Sequence, residues 1–518
     1  MHSSMRPEKN FPDDNSPGDH PAAPSRRSFL KLSAGVLGAF ALGDAPLDAI
    51  GADRSPANKQ PNLVIFLGEG LRYDELSCAG HPLVKTPHMD RIAREGMTFR
   101  NAFVTNALCL PSRASLLTGM YSHSINATGN EPAEKAANPK ETGNGPIPHD
   151  IPLVSELLRK AGYEVAFFGK AHIKHGLQDR HWDYYFGFNG RTDYYNPLLT
   201  EGIAGKFSEP KRYEGYLDDV VTDRALAWLE QKRDKPFCIF LNPFAPHAPF
   251  YRARRHLDLY NGVPIPKPAT FDDDLKGYPG KPRAFAEANN KIGTTILSDD
   301  NPRTLEEVVK NHYAGVVDND DNLGRVVDLI ERAGQLDDTA VILTSDHGFF
   351  LGEWGMYDKR FMHEPSIRVP LMVRYPRLVK AGATCEQTAL NVDIAPTLLE
   401  LAGAPIPSMH GRSLVPILKN APPQNWRKDW LYEYFEYPQW EHVRPHRGVR
   451  TERYKLIHYH PLAAFPDEPE EFELYDLEKD PGELHNLYGK AGYATLTRQL
   501  LNRITELRKE TGDNFTNT

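Results

Sequence analysis

The pentapeptide Leu63-Val64-Ile65-Phe66-Leu67 carries no polar side chain on either alternate set of positions. A strand with one face in water would alternate, so this run predicts a strand covered on both faces. Runs of the same kind return at 165–168, 237–241, 339–344 and 370–375. Between them lie segments of helical period at 153–160, 219–230, 304–333 and 393–401, after one that Thr86-Pro87 opens and Gly96 closes. Threonine and proline there serve as N-cap and first-turn residue, and glycine as terminator. Strands alternating with helices predict an α/β domain over 61–420, a large mixed and mostly parallel sheet sandwiched by helices.

This grammar stops near residue 420. Pro422-Pro423 and a run rich in Tyr, Trp, His and Arg intervene, then 448–459 and 471–477 alternate as antiparallel strands and 494–508 has a helical period. Residues 421–518 therefore read as a smaller α+β subdomain of antiparallel sheet plus helix. Segments 130–150 and 261–303, rich in Pro, Gly, Asn and Asp, are too long for ordinary connections. Such insertions are site-lining loops or surface excursions.

Residues 1–52 differ in kind from the rest. Ser25-Arg26-Arg27-Ser28-Phe29-Leu30-Lys31 precedes an apolar stretch at 32–42, which reads as a twin-arginine signal peptide cleaved between residues 46 and 53. The expected partner is the twin-arginine translocation machinery, and the destination the periplasm or beyond. The apolar stretch is shorter than the roughly 20 residues that cross a bilayer, so no stable membrane span is expected after cleavage.

A net charge of -8 gives no basic footprint for nucleic acid, and that class is set aside. Cys78, Cys109, Cys238 and Cys385 are scattered without a CxxC pair, which excludes a zinc-like spacing and argues against a disulfide framework. Cys78, Cys238 and Cys385 are read as buried small hydrophobes.

Cys109 stands in Cys109-Leu110-Pro111-Ser112-Arg113, with Thr118-Gly119 following at fixed distance. Proline favours a helix start here, and the unpaired N–H groups and positive dipole end of a new helix favour an anion. The run resembles the signature of the sulfatase family, and further motifs follow in order. Gly169-Lys170-Ala171-His172 matches the family's G-K-x-H, and Ala245-Pro246-His247-Ala248-Pro249 its A-P-H-x-P. Ser345-Asp346-His347-Gly348, at the carboxyl end of a predicted strand where open α/β sheets place ligands, resembles its metal-binding S-D-H-G. The segment from Trp354 to Arg360 carries its second sulfate-binding lysine at Lys359. The resemblance runs from Pro61 to about Leu487.

It implies an alkaline phosphatase-like fold and a sulfuric ester hydrolase that frees inorganic sulfate from a sulfated oligo- or polysaccharide. Cys109 would be oxidised to formylglycine by a maturation enzyme and would form a covalent sulfo-enzyme intermediate. By the same resemblance Arg113 neutralises the nucleophile or a sulfate oxygen, Lys170 and Lys359 hold sulfate, His247 meets the leaving oxygen and His172 helps expel sulfate. Glu69, Cys109, Asp346 and His347 would hold a divalent cation, calcium in the family.

One departure stands out. The family's first strand ends in paired aspartates, whereas this chain reads Gly68-Glu69-Gly70. Calcium takes about six to eight oxygens in irregular geometry, so water or a neighbour would have to fill the gap. Two alternatives stay open: a phosphate or phosphonate ester hydrolase, which uses the same scaffold, and, because Gly70 replaces the second aspartate, a catalytically degenerate sugar-binding homologue. Arg444, His446 and Arg447 form a cationic cluster that either touches an anionic sugar chain or lies in a solvated loop.

Overall fold

The structure is a computed structural model describing residues 60–514, apart from 131–144, 174–175, 179, 273–280, 293–303, 438, 440 and 462–468. The twin-arginine segment and much of the two long insertions lie outside the described residues.

The main sheet comprises β1 (Asn62–Gly68), β2 (Met97–Phe99), β3 (Glu164–Lys170), β4 (Tyr184–Phe188), β5 (Leu198–Ile203), β6 (Lys206–Phe207), β7 (Lys211–Arg212), β8 (Phe237–Asn242), β9 (Thr339–Ser345), β10 (Leu371–Arg374) and β11 (Ala383–Cys385). Their order is β11-β2-β10-β9-β1-β8-β3-β4-β5-β6, with β7 on β5. Strands β9, β1, β8, β3 and β4 run parallel, and β10 and β5 turn antiparallel toward the edges. The expected mostly parallel sheet is present, with antiparallel strands at 198–212 that the sequence reading did not place.

Seven helices matter to the site and its support: α1 (Pro87–Glu95), α2 (Cys109–Thr118), α3 (Val154–Lys160), α4 (Leu217–Leu229), α5 (Leu305–Arg332), α6 (Ile394–Leu401) and α7 (Ala494–Thr511). Side chains alternate across a strand, and β1 uses both sides. Leu63, Ile65 and Leu67 join one core with Leu116, Leu158 and Leu398 of α2, α3 and α6. Val64 and Phe66 join the opposite core with Ile92, Val221 and Leu323 of α1, α4 and α5. Burying each such side chain contributes about 1.5–3 kcal/mol, which is why no polar residue interrupts the strand.

The caps differ in detail. Thr304 and Glu307 form a reciprocal capping box at α5, with Glu307 N–H donating to Thr304 Oγ1 at 3.2 Å and Thr304 N–H to Glu307 Oε2 at 2.9 Å. Thr86 occupies the N-cap of α1, but its hydroxyl donates to Asp90 Oδ1 and accepts from Ser77 N–H instead of capping the helix.

Four antiparallel strands, β12 (Asp429–Tyr434), β13 (His446–Thr451), β14 (Tyr454–Tyr459) and β15 (Glu471–Asp476), form the C-terminal sheet. Leu500, Ile504 and Leu507 of α7 pack on its Leu431, Val449, Leu456 and Leu474. The sheet also grips the segments on both sides of α2. Glu433 N–H donates to the Thr105 carbonyl, its carboxylate accepts from Ser122 Oγ at 2.6 Å and from His123 Nδ1 at 2.5 Å, and Ala107 N–H donates to Tyr432 Oη.

Two expectations are corrected. Arg444 and Arg447 are buried in ion pairs with Glu287 and Asp513, and His446 is buried among aromatic rings, so this cluster is neither solvated nor open to a ligand. Cys78 is exposed, since it lies in a short turn outside both cores, whereas Cys238 and Cys385 are buried as read. No helix among the described residues is long and apolar enough to cross a membrane.

Candidate active site

In a parallel sheet the carboxyl ends of the strands open on one side, and here four neighbours end in polar residues. β1 runs into Glu69, β3 ends at Lys170, β8 at Asn242 and β9 at Ser345, followed by Asp346 and His347. Helix α2 starts at Cys109 itself. Leu108 before it is extended and has no capping group, so the Leu110 N–H donates to Asn130 Oδ1 at 3.0 Å, and Asn130 N–H in turn donates to Glu436.

Arg113, one turn into α2, is 2% exposed and organises the charges beneath the site. Its Nη2 donates to Glu69 Oε2 at 2.8 Å, its Nε to Asp346 Oδ2 at 2.9 Å, and its Nη1 to the Lys170 carbonyl at 2.9 Å and to Asn242 Oδ1 at 3.4 Å. Lys170 Nζ donates to the same Glu69 Oε2 at 2.8 Å. Each carboxylate thus gives one oxygen to cations and keeps the other for a common point.

At that point Cys109 Sγ lies 3.2 Å from Glu69 Oε1 and 3.3 Å from His347 Nε2. His347 Nε2 is 3.4 Å from both Glu69 Oε1 and Asp346 Oδ1. Its Nδ1 donates to the Gly348 carbonyl at 2.8 Å, which turns Nε2 inward. Gly70 contributes a main-chain N–H, donated to Asp346 Oδ1 at 3.1 Å.

The electrostatics follow from this packing. Burial opposes the charge of Glu69, but Lys170 and Arg113 hold its carboxyl well below the usual carboxylate range. Burial, and then the Glu69 charge, push Asp346 up to about 6. Burial works against a charged His347, yet Asp346 draws it up to about 9. Burial and Glu69 oppose a Cys109 thiolate, while Lys170, Lys359 and His347 outweigh them and lower the thiol well below its ordinary value. Burial, then Lys170 and Lys359, push His247 down to about 4.

His247 Nδ1 donates to the Ala248 carbonyl at 2.6 Å and its ring stacks on Phe244, leaving Nε2 3.8 Å from Glu69 Oε1. His172 has a φ of 46°, uncommon for a side chain with a Cβ, and burial lowers its pKa. Lys359 Nζ sits 3.0 Å from Asp358 Oδ1, and although burial opposes its charge Asp358 keeps it firmly protonated. Asp358 and Arg360, on either side, both have positive φ (80° and 97°), the kind of strain that clusters at functional sites.

One ligand atom from each of Glu69, Cys109, Asp346 and His347 lies within 4.8 Å of the others, all buried. Two carboxylate oxygens and an imidazole nitrogen facing one point suit a divalent cation. The proton that Asp346 draws onto His347 is the one that such a cation would displace. Asp74 and Glu75 stay out of this set, engaged with Arg72 and beside His312.

Lys170, His172, His247 and Lys359 line a cavity of about 1080 Å³. The nine residues that the family motifs single out are thereby brought to one place, whereas Arg444, His446 and Arg447 are not. Several others were missed. Asn242, a polar residue closing an apolar strand, was readable in principle. Asn130, Arg191, Glu436 and Glu441, which also line the cavity, come from loops without a local signal.

The family model described as Sulfatase matches residues 61–404. The chain belongs to the sulfatase family. A second model, described as N-sulphoglucosamine sulphohydrolase, C-terminal, matches residues 352–510 of this sulfatase. The sulfatase is 36% identical to the N-acetylglucosamine-6-O-sulfatase of Bacteroides thetaiotaomicron, over 88% of each chain. It is 30% identical to the human N-acetylglucosamine-6-sulfatase, over 78% of this chain and 71% of the relative. Among solved structures, a protein in complex with its substrate D-glucosamine-2-N,6-O-disulfate matches with a TM-score of 0.79 and 34% identity, over 89% of this sulfatase and 99% of that chain. The phosphonate monoester hydrolase of Agrobacterium radiobacter shares the fold, at a TM-score of 0.69 and 22% identity over 87% of this chain and 96% of that one.

Proposed function

We infer that this sulfatase hydrolyses a sulfate ester on an amino sugar of a sulfated glycan and releases inorganic sulfate. The observation that carries the reading is the meeting of Cys109 with four cationic or proton-carrying side chains, Lys170, His172, His247 and Lys359, above the Glu69, Asp346 and His347 cluster. The relatives named for N-acetylglucosamine 6-sulfate, and the one solved with a glucosamine disulfate, support the sugar.

In this reading Glu69, Asp346, His347 and residue 109 would hold calcium, which would polarise a sulfate oxygen and acidify a hydroxyl. Formylglycine made from Cys109 by a maturation enzyme supplies, as its hydrate, one hydroxyl for attack and a second through which sulfate is expelled. The chain's own residues do the rest. Arg113 fixes both carboxylates and neutralises charge at the start of α2, and Lys170 and Lys359 spread the negative charge that grows on the sulfate oxygens. His247 is neutral at rest. An anionic ester seated beside it and Lys359 raises its proton affinity, so that Nε2 takes up a proton from water and then delivers it to the leaving oxygen. His172, also neutral at rest, takes the proton from the second hydroxyl. The convergence of all these groups favours an enzyme over a sugar-binding homologue. Arg26-Arg27 and the apolar stretch after it support export through the twin-arginine machinery to the periplasm or beyond.

The test combines three measurements on the chain produced with a maturation enzyme: sulfate release from N-acetylglucosamine 6-sulfate, mass of the Cys109 peptide, and bound metal. Sulfate release, loss of sulfur at residue 109 and stoichiometric calcium are expected, and Cys109→Ala should remove turnover while the protein stays folded. Undiminished turnover in that variant, or faster cleavage of the matching phosphate ester, overturns the reading.

A further inference from the structure

Residues 190–195 form one continuous wall of the catalytic cavity. The wall is braced at several points. Asn189 Oδ1 accepts the Ile173 N–H at 2.8 Å, and Thr192 Oγ1 accepts the Leu198 N–H at 3.0 Å and donates to its carbonyl at 3.1 Å. Tyr194 Oη donates to the His247 carbonyl at 2.6 Å and Tyr195 Oη to the Arg252 carbonyl at 2.6 Å. Arg191 stands on this braced wall, exposed, and among the described residues nothing accepts from its guanidinium. Lys170, Lys359 and Arg360 of the same cavity are held by Glu69, Asp358 and Glu441, and Asp193 and Glu436 line it as well, so Arg191 is the lining cation that has no carboxylate of its own among the described residues.

Tyr195 also borders a second cavity, of about 880 Å³, which Arg212, Tyr213, Tyr216 and Arg254 help to line. Here too one cation is left over. Arg255 is held by Asp219, Asp318 and Asp321, and Arg212 by Asp193 at 2.9 Å. Arg254 is exposed, lies 5.6 Å from the centroid of the Tyr195 ring, and among the described residues has no carboxylate or hydrogen-bond acceptor. A guanidinium set against an aromatic face keeps its fork free for a planar or tetrahedral anion. Each of the two cavities that Tyr195 borders thus carries one guanidinium without a carboxylate partner among the described residues, Arg191 in the first and Arg254 in the second, where Glu214 and Asp219 also stand in the wall.

We propose that Arg191 and Arg254 form a second anion-binding track, which holds a further sulfate or carboxylate on the sugars next to the one being desulfated. The track rests on the sulfated-glycan reading above and extends it from a single sugar to a multiply charged oligosaccharide.

Binding of three glucosamine-containing tetrasaccharides to the full chain carrying Cys109→Ser tests it by calorimetry, without turnover. The first probe bears one terminal sulfate and reduced carboxyl groups, the second restores the carboxylates, and the third instead adds sulfates on the inner sugars. The second or third should bind at least tenfold more tightly than the first, and whichever does so identifies the anion. Arg191→Gln and Arg254→Gln should each cut that preference at least threefold, and the double variant should abolish it. Equal binding of all three probes, or a preference that survives in the double variant, overturns the track. Sulfate release by the unmodified chain judges the enzymatic reading separately: release with an Arg-independent preference overturns the track alone, and an Arg-dependent preference without release overturns the activity alone.

Discussion

The main-chain N–H of Gly70 donates to Oδ1 of Asp346 at 3.1 Å. The position that lacks a carboxylate relative to the family pattern is thus still tied to the cluster of Glu69, Asp346 and His347, through its backbone. Gly70 has a φ of 68°, and a Cβ there would lie 3.2 Å from Phe349 Cδ2 and 3.5 Å from His347 Cε1. The missing aspartate is therefore a matter of backbone geometry as well as of side-chain choice.

Gly70→Asp should accordingly fail to improve the site. The left-handed conformation costs a residue with a Cβ about 1–2 kcal/mol. Thermal unfolding should show a lower Tm, and calcium titration no gain in affinity. A variant that is more stable and binds calcium more tightly would show that the backbone can re-form to place the carboxylate.

Arg113→Lys keeps the charge but cannot reach Glu69 and Asp346 together. Breaking a buried charge pair costs about 3–5 kcal/mol. Urea unfolding of the metal-free protein should move to a clearly lower midpoint, and added calcium should restore part of the loss by screening the two carboxylates. An unchanged midpoint would mean that Arg113 contributes nothing to holding them.

Lys359→Met should spare the fold, because Asp358 retains its ion pair with Arg360. Removing one group that stabilises transition-state charge costs about 10²–10³ in kcat. Sulfate release should fall by that order with the circular dichroism spectrum unaltered, and a loss under tenfold would count against a role in catalysis.

His446 carries a pH signature. Burial, with the His363 charge adding to it against the Arg444 carbonyl, holds it down to about 4, compared with about 6.5 in an unfolded chain. Between these values the unfolded chain takes up a proton that the folded one does not, so stability falls as pH drops from about 6.5 to 4. His446→Phe should flatten that part of the stability profile in urea midpoints measured at several pH values. A profile as steep as the parent's would assign the acid loss elsewhere.

Much of the fold was legible because its cause is local. β1 reads directly as a doubly covered strand, since both alternate sets of its side chains meet helices, and Thr304-Leu305-Glu306-Glu307 announces the start of α5. The family motifs at Cys109, Lys170, His247 and Asp346 were legible as short strings, and the structure brings them to one edge of the sheet. What stayed hidden depends on distant partners. Arg444 and Arg447 looked solvent-facing because Glu287 and Asp513 stand 157 and 66 residues away. β12 lay inside an aromatic run whose Trp430, Tyr432 and Tyr434 are buried only once α2's approach segment and the main core are in place. The hairpin strands β5 to β7 are two to six residues long, too short to impose a period. Gly70 looked like a deficit because a sequence shows a missing carboxylate but not a backbone N–H.

The contact between Ala107 and Tyr432 joins residues 325 positions apart. A ribosome adding about 5–20 residues per second needs roughly 15–65 s to cover that span. For that interval the approach to Cys109 lacks the strand that later pins it, and a thiol that ends wholly enclosed remains within reach of another protein. Synthesis itself thus keeps open a minimum interval before this pin on the approach to Cys109 can form.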